Sequence, residues 1–224
     1  MMAFDRRIVL AALAAGAGGA LAIRNLMAQP SAPGPSVSPA LPAARPNLYN
    51  CEGCEAVGER RATTLAATVD LAGPDEPGER MILTGRVLTA DGSEPAAGVV
   101  IYAHHTNHDG LYANGSNESM WSRRHGRLRG WARTGADGRY TFNTIKPAPY
   151  PDRTMPAHVH LFVGEPGRRP YYIDDVVFEG EFGVTAAYRK ACELRGGDGV
   201  VRLGRTPDGI LLAQRDIRLE THPA

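Results

Sequence analysis

Cysteine and large aromatics are scarce in this chain of 224 residues, which has 3 Cys, 2 Trp and 5 Phe. Three cysteines cannot build the dense disulfide framework of a small secreted scaffold, nor a four-cysteine zinc site. An excess of charge of one sign is also missing, because 25 Lys+Arg stand against 24 Asp+Glu. No net field exists to recruit nucleic acid or an anionic membrane surface, and no nucleic-acid partner is expected. Long hydrophobic runs are lacking too. The longest, residues 8–22, would span only about 22 Å as a helix, short of a roughly 30 Å hydrocarbon core, so no stable membrane span is expected. What is abundant is turn chemistry, with 26 Gly and 17 Pro. That favours many short elements, and hence β-structure over a helical bundle. Hydrophobic residues at 43% and charged residues at 22% are ordinary globular usage, and the length suits one sizeable domain with terminal extras.

Residues 1–28 read as a cleaved export signal, with Arg6-Arg7, a short Ala/Gly-rich apolar stretch, and small residues at Ala20-Leu21-Ala22 or Ala28. The arginine pair followed by Ile8-Val9-Leu10 is similar to the twin-arginine type, so export to the periplasm or beyond is expected, with an uncleaved N-terminal anchor as the alternative. Residues 29–47 are Pro/Ala/Ser-rich and nearly uncharged, the composition of an extended linker. The folded domain is expected over residues 48–224. Cys51 and Cys54 form a CxxC pair at its start, which in an exported protein favours a local disulfide over free thiols, zinc or a redox role. Cys192 lies in a helix-like run and reads as a buried apolar residue.

Downstream, the periodicity is that of strands. Residues 81–88 and 98–103 are rich in β-branched and aromatic side chains. Residues 130–134 and 139–144 flank Ala136-Asp137-Gly138, a hairpin signal in which glycine supplies positive φ. Further strands are expected at 158–163, 171–178, 200–203 and 210–219, and only residues 184–194 look helical. The fold class expected is all-β, a β-sandwich of antiparallel sheets with one short helix.

His158-Val159-His160 alternates within an expected strand, so both imidazoles share one face and can reach one metal ion. Tyr150 stands between Pro149 and Pro151, which fix the backbone and present the ring from a rigid turn. Tyr112 follows the Asp109-Gly110 turn in the same exposed manner. His104, His105 and His108 read as supporting or exposed groups rather than ligands. The stretch from Trp121 to Arg133 holds Arg123, Arg124, Arg127, Arg129, Arg133 and His125. It reads as solvated charge with Arg129 in a structural pairing, or as a neutraliser of a substrate carboxylate or sulfonate.

The run from Leu128 to Phe142 (LRGWARTGADGRYTF), followed by Thr144-Ile145-Lys146-Pro147, Tyr150-Pro151 and Pro156-Ala157-His158-Val159-His160, resembles the intradiol ring-cleavage dioxygenases, the catechol and protocatechuate dioxygenase family. The likeness runs from about residue 84 to residue 181. It implies a β-sandwich enzyme of aromatic compound catabolism that opens a catechol-type ring between its two hydroxyl-bearing carbons, using O2, to give a muconate-type diacid. It further implies Fe(3+) held by Tyr112, Tyr150, His158 and His160, with Tyr150 the ligand that leaves when substrate binds. Such a set makes chemical sense, because two hard phenolates favour iron(III) over iron(II) while imidazole suits either state. The partners implied are an aromatic diol and O2, with homo-oligomerisation left open. Met155 departs from the pattern, which usually has arginine three residues before the first histidine. An apolar thioether there implies slow turnover of plain catechol and a preference for a substituted, electron-rich ring, unless Arg153 or the arginine-rich stretch substitutes.

Two other readings compete. His158, His160 and Glu165 would serve a cupin-type metal site, although a second motif is absent and the tyrosines stay unused. A non-catalytic transthyretin-like β-sandwich module would share the opening at residues 84–99 but would need neither tyrosine nor histidine pair.

Overall fold

Eleven strands and two short α-helices make up the computed structural model, which describes residues 41–115 and 119–224. The expected export signal and most of the expected linker lie outside the described residues. In chain order the elements are β1 (Thr68–Asp70), β2 (Arg80–Leu88), β3 (Val100–His105), α1 (Met120–His125), β4 (Arg129–Arg133), β5 (Arg139–Ile145), β6 (His158–Gly164), β7 (Tyr171–Phe178), α2 (Ala186–Ala191), β8 (Val200–Val201), β9 (Leu203–Arg205), β10 (Leu211–Gln214) and β11 (Ile217–Arg218). Contacts begin ahead of Leu48, since Arg45 Nε donates to Glu220 Oε2 at 2.8 Å and its Nη2 to the Glu193 carbonyl.

The strands form two sheets, one in the order β1-β5-β2-β10-β9 with β11 also on β2, the other in the order β4-β3-β6-β7-β8. The expected all-β sandwich is present, and its pairing is mixed. The long pairs are antiparallel, while β1–β5, β2–β10, β2–β11 and β7–β8 are parallel. The stretch 200–203 divides because β8 pairs with β7 while β9 pairs with β10 in the other sheet. The stretch 210–219 divides around Arg215, whose carbonyl leaves the ladder to accept the Tyr140 hydroxyl at 2.8 Å. That carbonyl would lie 1.7 Å from a Cβ at position 85, so only glycine fits there.

There are two helices rather than one. α1 begins with a capping box, in which Ser119 Oγ accepts the Ser122 N–H and Ser122 Oγ accepts the Ser119 N–H, and it stops at Gly126 with φ 73°. Its basic composition hides it from apolar periodicity. Cys192 caps α2 and is half-buried rather than fully buried.

The inner faces of the sheets enclose one core, including Met81, Leu83, Ile101, Tyr140, Phe142, Val159, Leu161, Ile173 and Phe178. A second cluster lies on the outer face of the second sheet, where Tyr102, Trp131, Phe162 and Trp121 pack against Cys54, Ala56 and Val57. The 3-10 turn Cys54–Glu59 covers it, and Trp131 Nε1 donates to the Ala56 carbonyl at 2.8 Å. Cys51 and Cys54 are joined by a disulfide that closes this turn. All six residues of β3 are therefore buried, and the outer face that stays open beyond the cover holds the polar cluster described next.

Candidate metal centre

Four side chains from one strand and two loops converge on the outer face of the second sheet. β6 supplies His158 and His160, two residues apart and on one side, as strand parity requires. The loop after β3 supplies Tyr112 and the proline-flanked turn after β5 supplies Tyr150. The two hydroxyls lie 2.9 Å apart. Tyr112 Oη is 2.9 Å from His160 Nε2, Tyr150 Oη is 3.2 Å from His158 Nε2, and the two Nε2 atoms are 3.0 Å apart. These four atoms close a ring with edges of 2.9–3.2 Å, near enough to one another to share one metal ion.

The outer nitrogens fix how the imidazoles face that centre. His158 Nδ1 donates to the Pro156 carbonyl at 2.7 Å, and His160 Nδ1 donates to Asp175 Oδ1 at 2.9 Å. Each Nε2 then faces inward toward the other imidazole and the phenol oxygens, where an unprotonated ring offers its lone pair to a cation. Burial keeps His158 low in pKa and hence neutral. Burial also opposes charge on His160, but the Asp175 carboxylate more than offsets it and raises that pKa. Asp175 is half-buried, and although desolvation opposes its charge, His160 holds its carboxyl below the usual range. Burial raises the pKa of Tyr112 and of Tyr150, so both phenols stay protonated until a multivalent cation at the centre favours phenolate. The donor set fits a hard, highly charged transition-metal ion.

Asp175 is the site residue that sequence alternation misses. The β6–β7 register shifts between Val159 and Leu161, so His160 faces both Asp174 and Asp175, a bulge that re-aims the second carboxylate. A positioning carboxylate of this kind typically contributes 10–100-fold to metal affinity. Asp175→Asn keeps an acceptor without the charge and is expected to weaken metal retention at this centre about tenfold, with Asp175→Ala worse. Dialysis of both variants against a graded chelator series checks that order.

The loops carrying the tyrosines are bound together. Thr106 Oγ1 donates to the Ala148 carbonyl at 2.7 Å and Ala148 N–H to the Asn107 carbonyl at 3.2 Å. Asn107 Oδ1 accepts the Asp109 and Leu111 N–H groups, shaping the turn before Tyr112.

The other histidines divide by burial. His105 is structural, with Nδ1 donating to the Thr106 carbonyl and Nε2 bonded to Thr144 Oγ1. His108 is exposed beside Asp109. His104 pairs with His160 across β3–β6, its ring 4.5 Å from the His160 ring and stacked at 4.0 Å on His125. Burial pushes His104 well down and His125 down to about 4, so both are neutral near pH 7. His125 Nδ1 bonds the Tyr102 hydroxyl at 2.8 Å. Arg129 has its structural pairing, with Glu59 at 2.5 Å. Arg124 pairs with Glu52 and Arg127 with Glu76, while Arg123 and Arg133 are exposed. Arg153 is exposed and lies 4.5 Å over the Phe182 ring.

The cupin-type set fails at its carboxylate. Glu165 sits at the end of β6 and accepts hydrogen bonds from Tyr171 at 2.8 Å and His222 at 2.9 Å, and the carboxylate beside the histidines is Asp175. Among the described residues, His158, His160 and Asp175 are the group of metal-ligating types found together. A cavity of about 540 Å3 opens over the centre, walled by Tyr112, Tyr150, Phe162 and Tyr172.

Residues 56–194, more than half the chain, match the family described as Dioxygenase. Catechol 1,2-dioxygenase 2 of Acinetobacter lwoffii is 31% identical over 143 residues, 52% of this chain and 50% of that protein. Hydroxyquinol 1,2-dioxygenase of Rhizobium sp. (strain MTP-10005) is 37% identical over 109 residues, 42% of this chain and 36% of that protein. The chain thus spans half or less of the length of these curated relatives. In fold it is similar to the dioxygenase domain of a dioxygenase carbohydrate-binding protein fusion from Streptomyces sp. SirexAA-E, with a TM-score of 0.52 at 23% identity, covering 68% of this chain and 86% of that one.

Proposed function

The chain belongs to the intradiol ring-cleavage dioxygenase family, and from that premise we propose that it is an iron(III) enzyme opening a catechol-type ring between its hydroxyl-bearing carbons. The observation that carries the reading is the closed ring of two phenol oxygens and two imidazole nitrogens, with edges of 2.9–3.2 Å and both tautomers fixed from behind.

Tyr112, Tyr150, His158 and His160 would hold the ion. Iron(III), when bound, draws electron density from a chelated diol and makes the ring carbon beside the hydroxyls reactive toward O2. Tyr150 serves as the base, because its phenolate oxygen can take the proton of the second substrate hydroxyl and move out as the neutral phenol. Tyr112 and the histidines stay in place, and Asp175 keeps the His160 lone pair aimed inward. Phe162 and Tyr172 line the cavity over the centre and would pack against the substrate ring. The reaction balances as diol plus O2 to muconate-type diacid, with both oxygen atoms retained and no external reductant. Protein reconstituted with iron is expected to show a visible tyrosinate-to-iron charge-transfer band and to consume one O2 per ring opened. A colourless, iron-loaded protein inert toward every catechol would overturn the reading.

Export belongs to the same proposal and rests on Arg6-Arg7 and the apolar stretch after it. Arg6→Lys with Arg7→Lys is expected to leave unprocessed precursor in the cytoplasm, because twin-arginine recognition needs the pair. Fractionation followed by immunoblotting checks it, and normal processing of the double variant would point to another route.

A further inference from the structure

The corner between β10 and β11 sends one side chain from the first sheet to the second. Arg215 sits at that corner, its N–H donating to the Thr84 carbonyl at 2.9 Å and its carbonyl accepting the Tyr140 hydroxyl at 2.8 Å. Both main-chain groups are thus fastened to the first sheet. The residue is 2% exposed, and its guanidinium ends at β7. There Nη1 donates to the Asp174 carbonyl, and Nη2 donates to the Arg195 carbonyl at 3.3 Å. The Asp174 carbonyl belongs to the peptide that joins Asp174 to Asp175, where the β6–β7 register shifts.

Asp174 and Asp175 are held from other sides as well. The Asp174 N–H donates to the Arg195 carbonyl at 3.1 Å, and the Asp174 carboxylate accepts the N–H groups of Leu194 at 2.8 Å and Arg195 at 3.2 Å. Gly199 lies against Asp175, where a Cβ would stand 2.1 Å from the Asp175 carbonyl oxygen and 3.5 Å from Arg215 Nη1. Only glycine lets the chain close on both. With its backbone pinned in this way, Asp175 places Oδ1 2.9 Å from His160 Nδ1.

A guanidinium is a costly group to bury here. Arginine stays charged in proteins, burial opposes that charge, and Nε has no hydrogen-bond partner among the described residues. The carboxylates of Asp174, Asp175 and Asp198 offset part of the cost through space. An apolar side chain of similar volume would pack without that cost, but it could not hold a carbonyl in a set direction. What the guanidinium adds is a rigid fork tying the Asp174 carbonyl on β7 to the Arg195 carbonyl on the loop before β8.

We infer that Arg215 is a positioning residue of the metal centre: reaching over from the first sheet, it fixes the Asp174–Asp175 peptide so that the Asp175 carboxylate meets His160 Nδ1 and aims the imidazole at the ion. The role of the ion rests on the iron(III) reading above, whereas the link from Arg215 to His160 belongs to the chain itself.

Arg215→Met keeps the volume and removes the fork. In the metal-free full chain labelled with 15N-histidine, the wild-type His160 Nδ1–H is expected to give a slowly exchanging NMR resonance, and Arg215→Met should lose it. Loaded with iron, that variant should release its metal to a chelator about tenfold more readily, the usual effect of losing a group that orients a ligand. Tyr140→Phe separates positioning from plain stability, because it frees the Arg215 carbonyl and leaves the fork in place. It should lower Tm with resonance and retention unchanged. Arg215→Met added to Asp175→Asn should weaken retention little beyond Asp175→Asn alone, since both act on one hydrogen bond. Arg215→Lys keeps the charge on a single donor group and carries the same comparison if Arg215→Met fails to fold, with a smaller loss of both signals expected. The inference is overturned if folded Arg215 variants keep the resonance and wild-type retention, if Tyr140→Phe loses them equally, or if the Arg215 and Asp175 effects add in full. A wild-type chain that shows the resonance but takes up no iron(III) would instead defeat the ring-cleavage reading and leave the Arg215 link standing.

Discussion

With iron(III) held as proposed, His160→Ala is expected to strip the reconstituted protein of most of its iron and of its visible band. Alanine removes the corner of the donor ring that stands 2.9 Å from Tyr112 Oη and 3.0 Å from His158 Nε2. The loss extends beyond one bond, because Asp175 is then left without its imidazole partner, and a carboxylate deprived of its countercharge stays costly to bury. Losing a positioning partner alone typically weakens metal binding 10–100-fold, so losing the ligand should exceed about a hundredfold. His108→Ala is the comparison, since that imidazole is exposed beside Asp109 and should leave iron and colour unchanged. Iron per chain after chelator dialysis, together with the visible spectrum, checks both. Full iron and colour in His160→Ala would sink the ligand assignment.

Local physics made much of the fold legible in advance. The run at 171–178 and the shared face of His158 and His160 follow from strand parity, whereas the hairpin expected across Asp137-Gly138 does not form. The turn is there, with Gly138 at φ 70°, but β4 pairs with β3 in one sheet and β5 with β2 and β1 in the other. Tyr112 and Tyr150 stood out because their turns are set by Asp109-Gly110 and by flanking prolines, and those two loops bond to each other. Features that depend on register were not legible. Asp175 joins His160 only because the β6–β7 ladder shifts by a residue there, and nothing in the run Tyr171-Tyr172-Ile173-Asp174-Asp175 marks a bulge. Glu165, five residues past His160, was the carboxylate that the competing cupin-type reading offered, yet the strand carries it away to Tyr171 and His222. The His104–His125 stack needs β3 to lie beside β6 and α1 to fold over both, and α1 is too polar to show an apolar period. Arg195 and Arg215 are almost fully buried, which no composition-based reading expects of arginine.

Gly110→Ala should disable the centre without touching a donor atom. Gly110 has φ 79°, and a Cβ there would lie 2.1 Å from the Pro149 carbonyl oxygen, one residue before Tyr150. Two costs combine. The left-handed backbone strains any L side chain by about 1 kcal/mol, and the clash forces the Tyr112 loop and the Tyr150 turn apart. The first cost is general and the second is specific to the site, so a second glycine separates them. Gly180 has φ 82° and nothing within 4 Å of an added Cβ. Gly180→Ala should therefore lower Tm by about 3 °C and keep iron, colour and ring cleavage. Gly110→Ala should displace both phenol oxygens by a sizeable fraction of an ångström and lower kcat/KM by about a hundredfold, the typical result of a 1 Å misplacement. Thermal unfolding read beside the charge-transfer band tells the two apart. If both variants lose stability equally and both keep the band, the close approach of the two loops does not set the tyrosine geometry.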